Sequence, residues 1–377
     1  MKMLYLGNIG EKVNSFSYSS MVAAKELGIS FHIACNWNYK TEKDKEIDEE
    51  KYGITIHQID FSRKPYSFRN IRAYKQLVNL IKKEHFDFIH CNTPTGGFFG
   101  RLAGEKCKVK ATVYQAHGFH FFKGAPFFNW LVYYPIEKWL AHKTDFLVTI
   151  NSEDYDLANK KMRIKDKGEV VFIPGVGIDT KNHFSFDSDE ARTRLNLDKN
   201  CFVIISCGEL NKNKNNKTII ESLHILKNSQ IHYLVCGNGP ELNSLKKMTA
   251  KYGLQDNVHF LGHRSDIPAL LNASDVFVMP SKREGLSRSI MEAMSIGLPC
   301  IVSNIRGNID LVDKQGGFLC NPNKPFLFSE AIKTLMGNKT LCKQMGEYNR
   351  TKVSSYDFQN IVELTKDLYK KVLLLIE

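Results

Sequence analysis

Ile173-Pro-Gly-Val-Gly-Ile-Asp179 divides the chain. Proline has no amide hydrogen and a fixed φ, and the glycines on either side of Val176 loosen the backbone, so no regular element runs through this stretch. N-terminal to it, strands are expected at Lys2–Leu6, Ser30–Cys35, Thr55–Ile59, Phe88–His90, Ala111–Ala116, Phe146–Thr149 and Val170–Ile173. Helices are expected between them, as at Ser17–Leu27 and Phe68–Glu84, where apolar residues recur at helical spacing. A polar stretch, Thr180–Asn200, follows the break. The alternation then restarts with strands at Cys201–Cys207, His232–Cys236, Val258–Phe260, Val276–Met279, Cys300–Val302 and Gly317–Leu319. This pattern predicts an α/β chain with mainly parallel sheets covered by helices. The boundary falls near Asp179, giving a Rossmann-like domain over 1–178 and another over 179–356. A last helix, from Asp357 to about Leu375, carries Ile361, Val362, Leu364, Leu368, Tyr369, Val372 and Leu375 as an apolar stripe. The second sheet already has helices starting at Asn216, Glu241, Ser265, Ser287 and Phe326, so 357–377 are expected to return to the first domain.

Composition narrows the class. The chain has 377 residues, too many for one ordinary core, and 43% hydrophobic with 24% charged residues is globular rather than disordered. Lys and Arg number 52 against 40 Asp and Glu, a net charge of +12 that favours anionic partners. The excess is spread evenly, with 26 basic and 19 acidic residues in 1–178 and 26 and 21 thereafter, so no arm or stripe suits nucleic acid. Nine cysteines without a C-x-x-C pair fit a reduced cytoplasmic interior, with Cys35, Cys201, Cys207 and Cys236 as small buried hydrophobes. Met1-Lys-Met-Leu-Tyr-Leu-Gly7 reads as a short strand and a glycine turn, not a signal peptide. No run reaches the roughly 18–20 apolar residues that span a bilayer. No G-x-G-x-x-G opens the first helix, which disfavours a nicotinamide oxidoreductase.

The strongest chemical signal is Pro280-Ser-Lys-Arg-Glu-Gly-Leu-Ser-Arg-Ser-Ile-Met-Glu-Ala-Met-Ser-Ile-Gly-Leu-Pro299. It follows the apolar strand Val276–Met279, and a helix is expected from about Ser287. Unpaired amides at Leu286, Ser287 and Arg288 would then bind a phosphate. Glu284 lies at the strand's carboxyl end, where open α/β sheets place ligands. Glu292 follows eight residues later, about 80° around a helix, so both border one ligand.

Here the chain resembles the retaining nucleotide-sugar glycosyltransferases of the GT-B fold that carry an E-x7-E motif. The resemblance covers nearly the whole chain in order. Gly208-Glu-Leu-Asn-Lys-Asn-Lys-Asn215 is similar to the family's G-R-L-x-x-x-K-G loop, with Lys214 in the lysine place. Gly237-Asn-Gly-Pro240 matches the turn after the next strand, and Leu261-Gly-His-Arg-Ser-Asp-Ile267 the segment that closes on the nucleotide base. Ile173–Asp179 matches the interdomain I-P-N-G-V-D. Phe88-Ile-His-Cys-Asn-Thr-Pro94 and Gln115-Ala-His-Gly118 fall on the acceptor side.

The resemblance implies two Rossmann-like domains facing a central cleft, with the C-terminal helix crossing back. It also implies roles. Glu284, His117 and Lys214 would serve catalysis: Glu284 on the donor sugar, His117 near the anomeric centre, Lys214 on the diphosphate. Glu292 would bind the ribose hydroxyls, and Gly10, Glu209, Asn238, Arg264, Leu286, Ser287 and Arg288 would line the donor site. Lys214 and the helix-start amides would stabilise the leaving phosphate without a metal, so no cofactor is expected. Composition alone reads Lys214 as solvated, since four of the seven residues Asn211–Lys217 are Asn. His90 and His120 read more readily as structural.

Departures stand out: Glu209 replaces the usual phosphate-binding Arg, leaving more to Lys214 with help from Lys212 or Arg288. Leu286-Ser287 replaces Phe-Gly, Gly175-Val-Gly177 replaces Asn-Gly-Val, and the Gly7-Asn-Ile-Gly10 loop is poor in glycine. Gly208-Glu-Leu-Asn211, His117-Gly-Phe-His120 and Glu284-Gly-Leu-Ser287 together are similar to the branch that builds bacterial capsular and exopolysaccharides.

Nine aromatics crowd Phe119–Trp139, flanked by Lys123 and Lys138. Core packing explains some; the rest suit an interface with a lipid-linked acceptor. The leading expectation is a transferase moving sugar from a nucleotide diphosphate, UDP above others, to a saccharide or polyprenyl-diphosphate-linked saccharide. It would be cytoplasmic and peripheral on the inner face of the membrane, with no nucleic-acid partner. A nucleotide-sugar epimerase or hydrolase of the same fold, and a non-catalytic sugar-binding module, stay open.

Overall fold

Each apolar run of the first half pairs with its neighbours in one parallel sheet. The computed structural model describes residues 1–10, 13, 15–64, 67–180, 188–195 and 197–377. The chain forms two units, Met1–Gly177 with Phe358–Glu377, and Ile178–Asp357. The first runs β1 (Lys2–Ile9), α1 (Ser15–Glu26), β2 (Ser30–Asn36), α2 (Glu42–Tyr52), β3 (Thr55–Gln58), α3 (Arg69–Glu84), β4 (Phe88–Asn92), α4 (Pro94–Lys106), β5 (Ala111–Ala116), α5 (Phe127–Ala141), β6 (Phe146–Thr149), α6 (Ser152–Lys161) and β7 (Glu169–Phe172). Its seven strands are ordered β3-β2-β1-β4-β5-β6-β7.

The second unit runs α7 (Ser188–Arg194), β8 (Phe202–Cys207), α8 (Lys217–Leu226), β9 (Ile231–Cys236), α9 (Leu242–Lys251), β10 (Val258–Gly262), α10 (Ile267–Asn272), β11 (Val276–Met279), α11 (Arg288–Ile296), β12 (Cys300–Ser303), α12 (Asn308–Leu311), β13 (Gly317–Cys320), α13 (Pro325–Met336) and α14 (Lys339–Val353). Its six strands are ordered β10-β9-β8-β11-β12-β13. Both sheets reverse winding direction once, between β1 and β4 and between β8 and β11. At such a reversal the flanking crossovers lie on opposite faces and leave a crevice at the strands' carboxyl ends.

The last helix, α15 (Phe358–Ile376), belongs to the first unit. It packs along α1, and its Ile361, Val362, Leu368, Tyr369 and Val372 join the core beneath the first sheet. Burying this stripe, rather than intrinsic propensity, holds the helix there. The buried Tyr369 hydroxyl meets His90 Nδ1 of β4 at 2.8 Å. Leu364 departs from the expected stripe at 39% exposed, because the buried arc is narrower than the apolar pattern.

Other expectations change. β1 continues through Gly7 to Ile9 with a register irregularity, so Gly7–Gly10 is largely strand rather than turn. The polar stretch after the boundary contains α7, whose Arg192 donates to the Ala273 carbonyl and pairs with Asp275 at 3.0 Å; residues 181–187 and 196 of that stretch lie outside the described residues. All nine cysteines are free thiols; Cys35, Cys201 and Cys236 are buried and Cys207 is half-buried.

Candidate active site

The second sheet's reversal point gathers the residues singled out around Lys214 and Glu284. After β8 the backbone turns at Gly208 (φ 150°), beside Gly237 (φ 138°) after β9. A Cβ on Gly237 would lie 1.9 Å from the Gly208 carbonyl oxygen, so only glycine lets these turns touch. The Asn-rich loop then folds on its own amides. Asn211 Oδ1 accepts from the amides of Asn213 (3.0 Å) and Lys214 (2.9 Å). Asn213 Nδ2 donates to the Arg283 carbonyl, and Asn215 Nδ2 to the carbonyls of Pro280 and Pro322. Asn216 Nδ2 reaches Ser206 Oγ and the Tyr233 hydroxyl, both at 3.0 Å. The asparagines that suggested a solvated loop are what dock it on β11.

That docking delivers Lys214 Nζ to 2.8 Å from Glu284 Oε1, with the side chains only 24% and 13% exposed. A small recess beside the pair is lined by Ser206, Cys207, Gly208, Lys214, Met279 and Pro280. The Glu284 carbonyl accepts from Nε of the buried Arg306, in the loop after β12. Sequence reasoning passed over Arg306; its position just past a strand's carboxyl end was the available signal.

Ser287 is the N-cap of α11, in extended conformation, and its hydroxyl does not cap the helix. The free first-turn amides therefore begin at Arg288, and Leu286 and Ser287 precede the helix rather than open it. Glu284 also lies outside α11, so the 80° helical offset to Glu292 does not apply. Glu292 accepts from Arg288 Nε at 2.8 Å, one turn away, and both remain partly exposed.

Other expected donor-site residues sit variously. Arg264 forks onto Asp266, with bonds of 2.8 and 2.6 Å. Glu209 and Asn238 are exposed, Glu209 accepting from Asn211 Nδ2. Gly10 belongs to the first unit, where a Cβ would strike the Trp37 ring at 2.6 Å. That close packing requires a glycine there.

In the first unit, His117 follows β5, and its Nε2 lies 2.9 Å from Oδ1 of Asn92, at the end of β4. The edge of Phe16 meets its ring, and burial pulls its pKa down to about 4, so the imidazole is neutral. His90 is fully buried, with its pKa lowered to about 3, chiefly by burial, and its Tyr369 contact makes it a packing residue. His120 lies against Tyr133.

The aromatic segment divides in two. Phe119, Phe121, Trp130, Tyr133 and Tyr134 pack into the core. Along α5, Phe127 (79%), Phe128 (62%), Leu131 (61%) and Trp139 (49%) are exposed. Beneath them the buried Arg101 pairs with Glu137 of α5 at 2.9 Å and stacks on Tyr114. Among the described residues no helix is long and apolar enough to cross a membrane.

The sequence contains two D-x-D triplets, the pattern by which other transferases hold a divalent cation. In Asp154-Tyr-Asp156 the buried Asp154 carboxylate accepts from the Phe119 amide and Asn151 Nδ2, and in Asp187-Ser-Asp189 the first residue is not described.

Two parallel α/β units with these strand orders have the GT-B fold, and comparison with known proteins supplies the family. Residues 187–352 match the family described as Glycosyl transferases group 1, and residues 2–151 match Glycosyl transferase 4-like. EpsD of Bacillus subtilis strain 168, itself only provisionally named a glycosyltransferase, is 32% identical over 98% of this chain and 96% of its own. The Escherichia coli UDP-Gal:alpha-D-GlcNAc-diphosphoundecaprenol alpha-1,3-galactosyltransferase is 32% identical over 80% of this chain and 79% of its own. HepE of Anabaena, solved in complex with UDP, shares the fold with a TM-score of 0.78 at 20% identity, over 99% of this chain and 100% of that one. The chain belongs to the group 1 glycosyltransferase family and is a glycosyltransferase.

Proposed function

We propose that this glycosyltransferase moves a sugar, with retention at the anomeric carbon, from a UDP-sugar to a saccharide carried on a polyprenyl diphosphate. Its place is bacterial capsule or exopolysaccharide assembly. The observation that carries the reading is the Lys214–Glu284 pair, held at 2.8 Å beside the open start of α11 at a sheet reversal point. Breaking the bond from the anomeric carbon to the diphosphate oxygen puts negative charge on the leaving UDP. A cation and oriented amides stabilise that charge as it develops. An arriving diphosphate competes for Lys214, which frees the Glu284 carboxylate to accept from donor-sugar hydroxyls. Glu292, near the same helix end, then serves the ribose, with Arg288 released toward phosphate. No divalent cation is assigned a role, because Lys214 and the amides supply the charge.

The donor and acceptor classes lean on the E. coli relative, named for transferring galactose from UDP-Gal to a diphosphoundecaprenol-linked sugar. The exposed α5 aromatics with Lys123 and Lys138 suit contact with the membrane that holds such an acceptor. Co-sedimentation with anionic vesicles, lost on Phe127→Ser with Phe128→Ser, checks this contact.

The test of the reaction is incubation with UDP-glucose, UDP-galactose or UDP-GlcNAc, with and without undecaprenyl-diphosphate-linked GlcNAc, in EDTA. The expected result is acceptor-dependent α-linked product, lost in Glu284→Gln at unchanged Tm. Magnesium-reversible loss in EDTA refutes the metal-free mechanism. A β-linked product refutes retention, and a fully active Glu284→Gln removes that residue from the site.

A further inference from the structure

The first sheet's own reversal point, between β1 and β4, is where Asn92 ends β4 and His117 follows β5. Asn92 is only 2% exposed, and its two amide atoms differ sharply. Oδ1 accepts from His117 Nε2 at 2.9 Å. Nδ2 is buried and has no hydrogen-bond partner among the described residues. A buried amide hydrogen left unpaired is costly, and such groups cluster where a ligand completes them. The next residue, Thr93, stands at φ 65°, a left-handed conformation that β-branched residues rarely take. From there Thr93 caps α4, with its hydroxyl accepting from the Gly96 amide. Strain and an open donor thus meet at one strand end, against the His117 ring.

We propose that Asn92 is a positioning residue: it holds His117 as the Nε2–H tautomer, so that the bare Nδ1 faces substrate as a hydrogen-bond acceptor for a sugar hydroxyl. The reasoning is one of valence. An amide oxygen only accepts, so the ring nitrogen that meets it carries the proton. In a neutral imidazole the other nitrogen is then a lone pair. The surroundings keep the ring neutral: His90 of β4 is a second neutral imidazole, Phe16 of α1 offers an apolar edge, and Asn92 is uncharged. This inference rests on the reading of His117 as a substrate contact, and goes beyond it in assigning the tautomer and the group that sets it.

Two measurements test it on the full-length protein. In ¹⁵N long-range correlation spectra, with the His117 ring assigned by its loss in His117→Gln, Nε2 is expected protonated and Nδ1 bare. The opposite tautomer overturns the proposal. The second is the pH profile of UDP release from whichever UDP-sugar turns over fastest. Asn92→Asp keeps an acceptor for Nε2–H but adds a charge that favours imidazolium, so the acid limb of kcat/KM should move up by about one pH unit or more. Rates at high pH should return to within about threefold of the parent. Asn92→Leu, which frees the tautomer, should lower kcat about tenfold at nearly unchanged donor KM. An acid limb that stays put in Asn92→Asp, in a variant with parental Tm, refutes the positioning role. Parental turnover in His117→Ala removes the ring from the reaction and overturns the functional half. The spectra need no turnover, so failure of the UDP-sugar assignment is distinguishable from failure of the tautomer assignment.

Discussion

Replacing Lys214 with Met asks whether its ion pair serves the fold or the reaction. The nitrogen lies 2.8 Å from Glu284 Oε1, with side-chain exposures of 24% and 13%, so the site is neither fully solvated nor dry. At an effective dielectric near 20, unit charges about 4 Å apart attract by about 4 kcal/mol. Desolvation of both groups offsets most of that, leaving a net stability contribution of about 1–2 kcal/mol. Catalysis should suffer more. Removing one donor aimed at developing transition-state charge costs roughly 10²–10³ in kcat, or about 2.7–4 kcal/mol. Lys214→Met should therefore lower kcat for UDP-sugar turnover by at least about a hundredfold, while the urea midpoint shifts only modestly. A cycle with Glu284→Gln sharpens the test: groups acting on one transition state are non-additive, so the double variant should be little worse than the poorer single one. Turnover of Lys214→Met within about threefold of the parent would refute the reasoning. A loss of activity fully matched by unfolding would likewise assign the pair to stability.

Glu292→Ala should weaken UDP binding about tenfold, or about 1.4 kcal/mol, by calorimetry, and an unchanged affinity removes it from the ribose. Truncation before Asp357 removes five side chains that are at most 1% exposed: Ile361, Val362, Leu368, Tyr369 and Val372. At roughly 1.5–3 kcal/mol each this rivals the whole stability of a domain, so circular dichroism should show the first unit unfolded, and a cooperative parental melt would contradict the packing argument. Burial, with His32 beside it, holds the His57 pKa down to about 4, and His32, His232 and His259 are also lowered chiefly by burial. Because the unfolded chain takes up these protons first, near pH 6.5, stability should fall as pH drops from about 6.5 toward 4. His57→Phe should flatten that slope, and an unaltered slope would show that these protons are not the source.

The strands were legible because a buried parallel strand is a short apolar run with turn residues at its ends, and both signals are local. Their limits were less so. β4 extends past His90 to Asn92 because pairing with β5, not hydrophobicity, carries polar residues to the strand's end. α7 and α14 are largely polar, and their sequences carry no apolar stripe that marks a helix. Yet Asn349 of α14 is buried and donates to the carbonyls of Leu298 and Gly316, so its burial rests on hydrogen bonds that no apolar pattern signals. The apolar stripe of α15 showed which helix would pack, but it included Leu364, because spacing marks a face without fixing the width of the partner's groove.

The site was legible as residue types at strand ends and illegible as partnerships. Lys214 and Glu284 are seventy residues apart, and nothing local says that one meets the other. What joins them is the sheet: β8 and β11 are neighbours, so the loops after them share one edge, and the Asn side chains sew the first loop to the second. The same logic repeats in the first unit. β4 and β5 are neighbours there, and the last paired residue of β4, Asn92, shares a hydrogen bond with His117, just past β5, across 25 positions. In each unit, then, a polar residue at or past the end of one strand meets a polar residue past its neighbour, and the strand order decides which two. The alternation of elements implies parallel strands but leaves their order open, so these two pairs become visible only once the reversals at β1/β4 and β8/β11 are known.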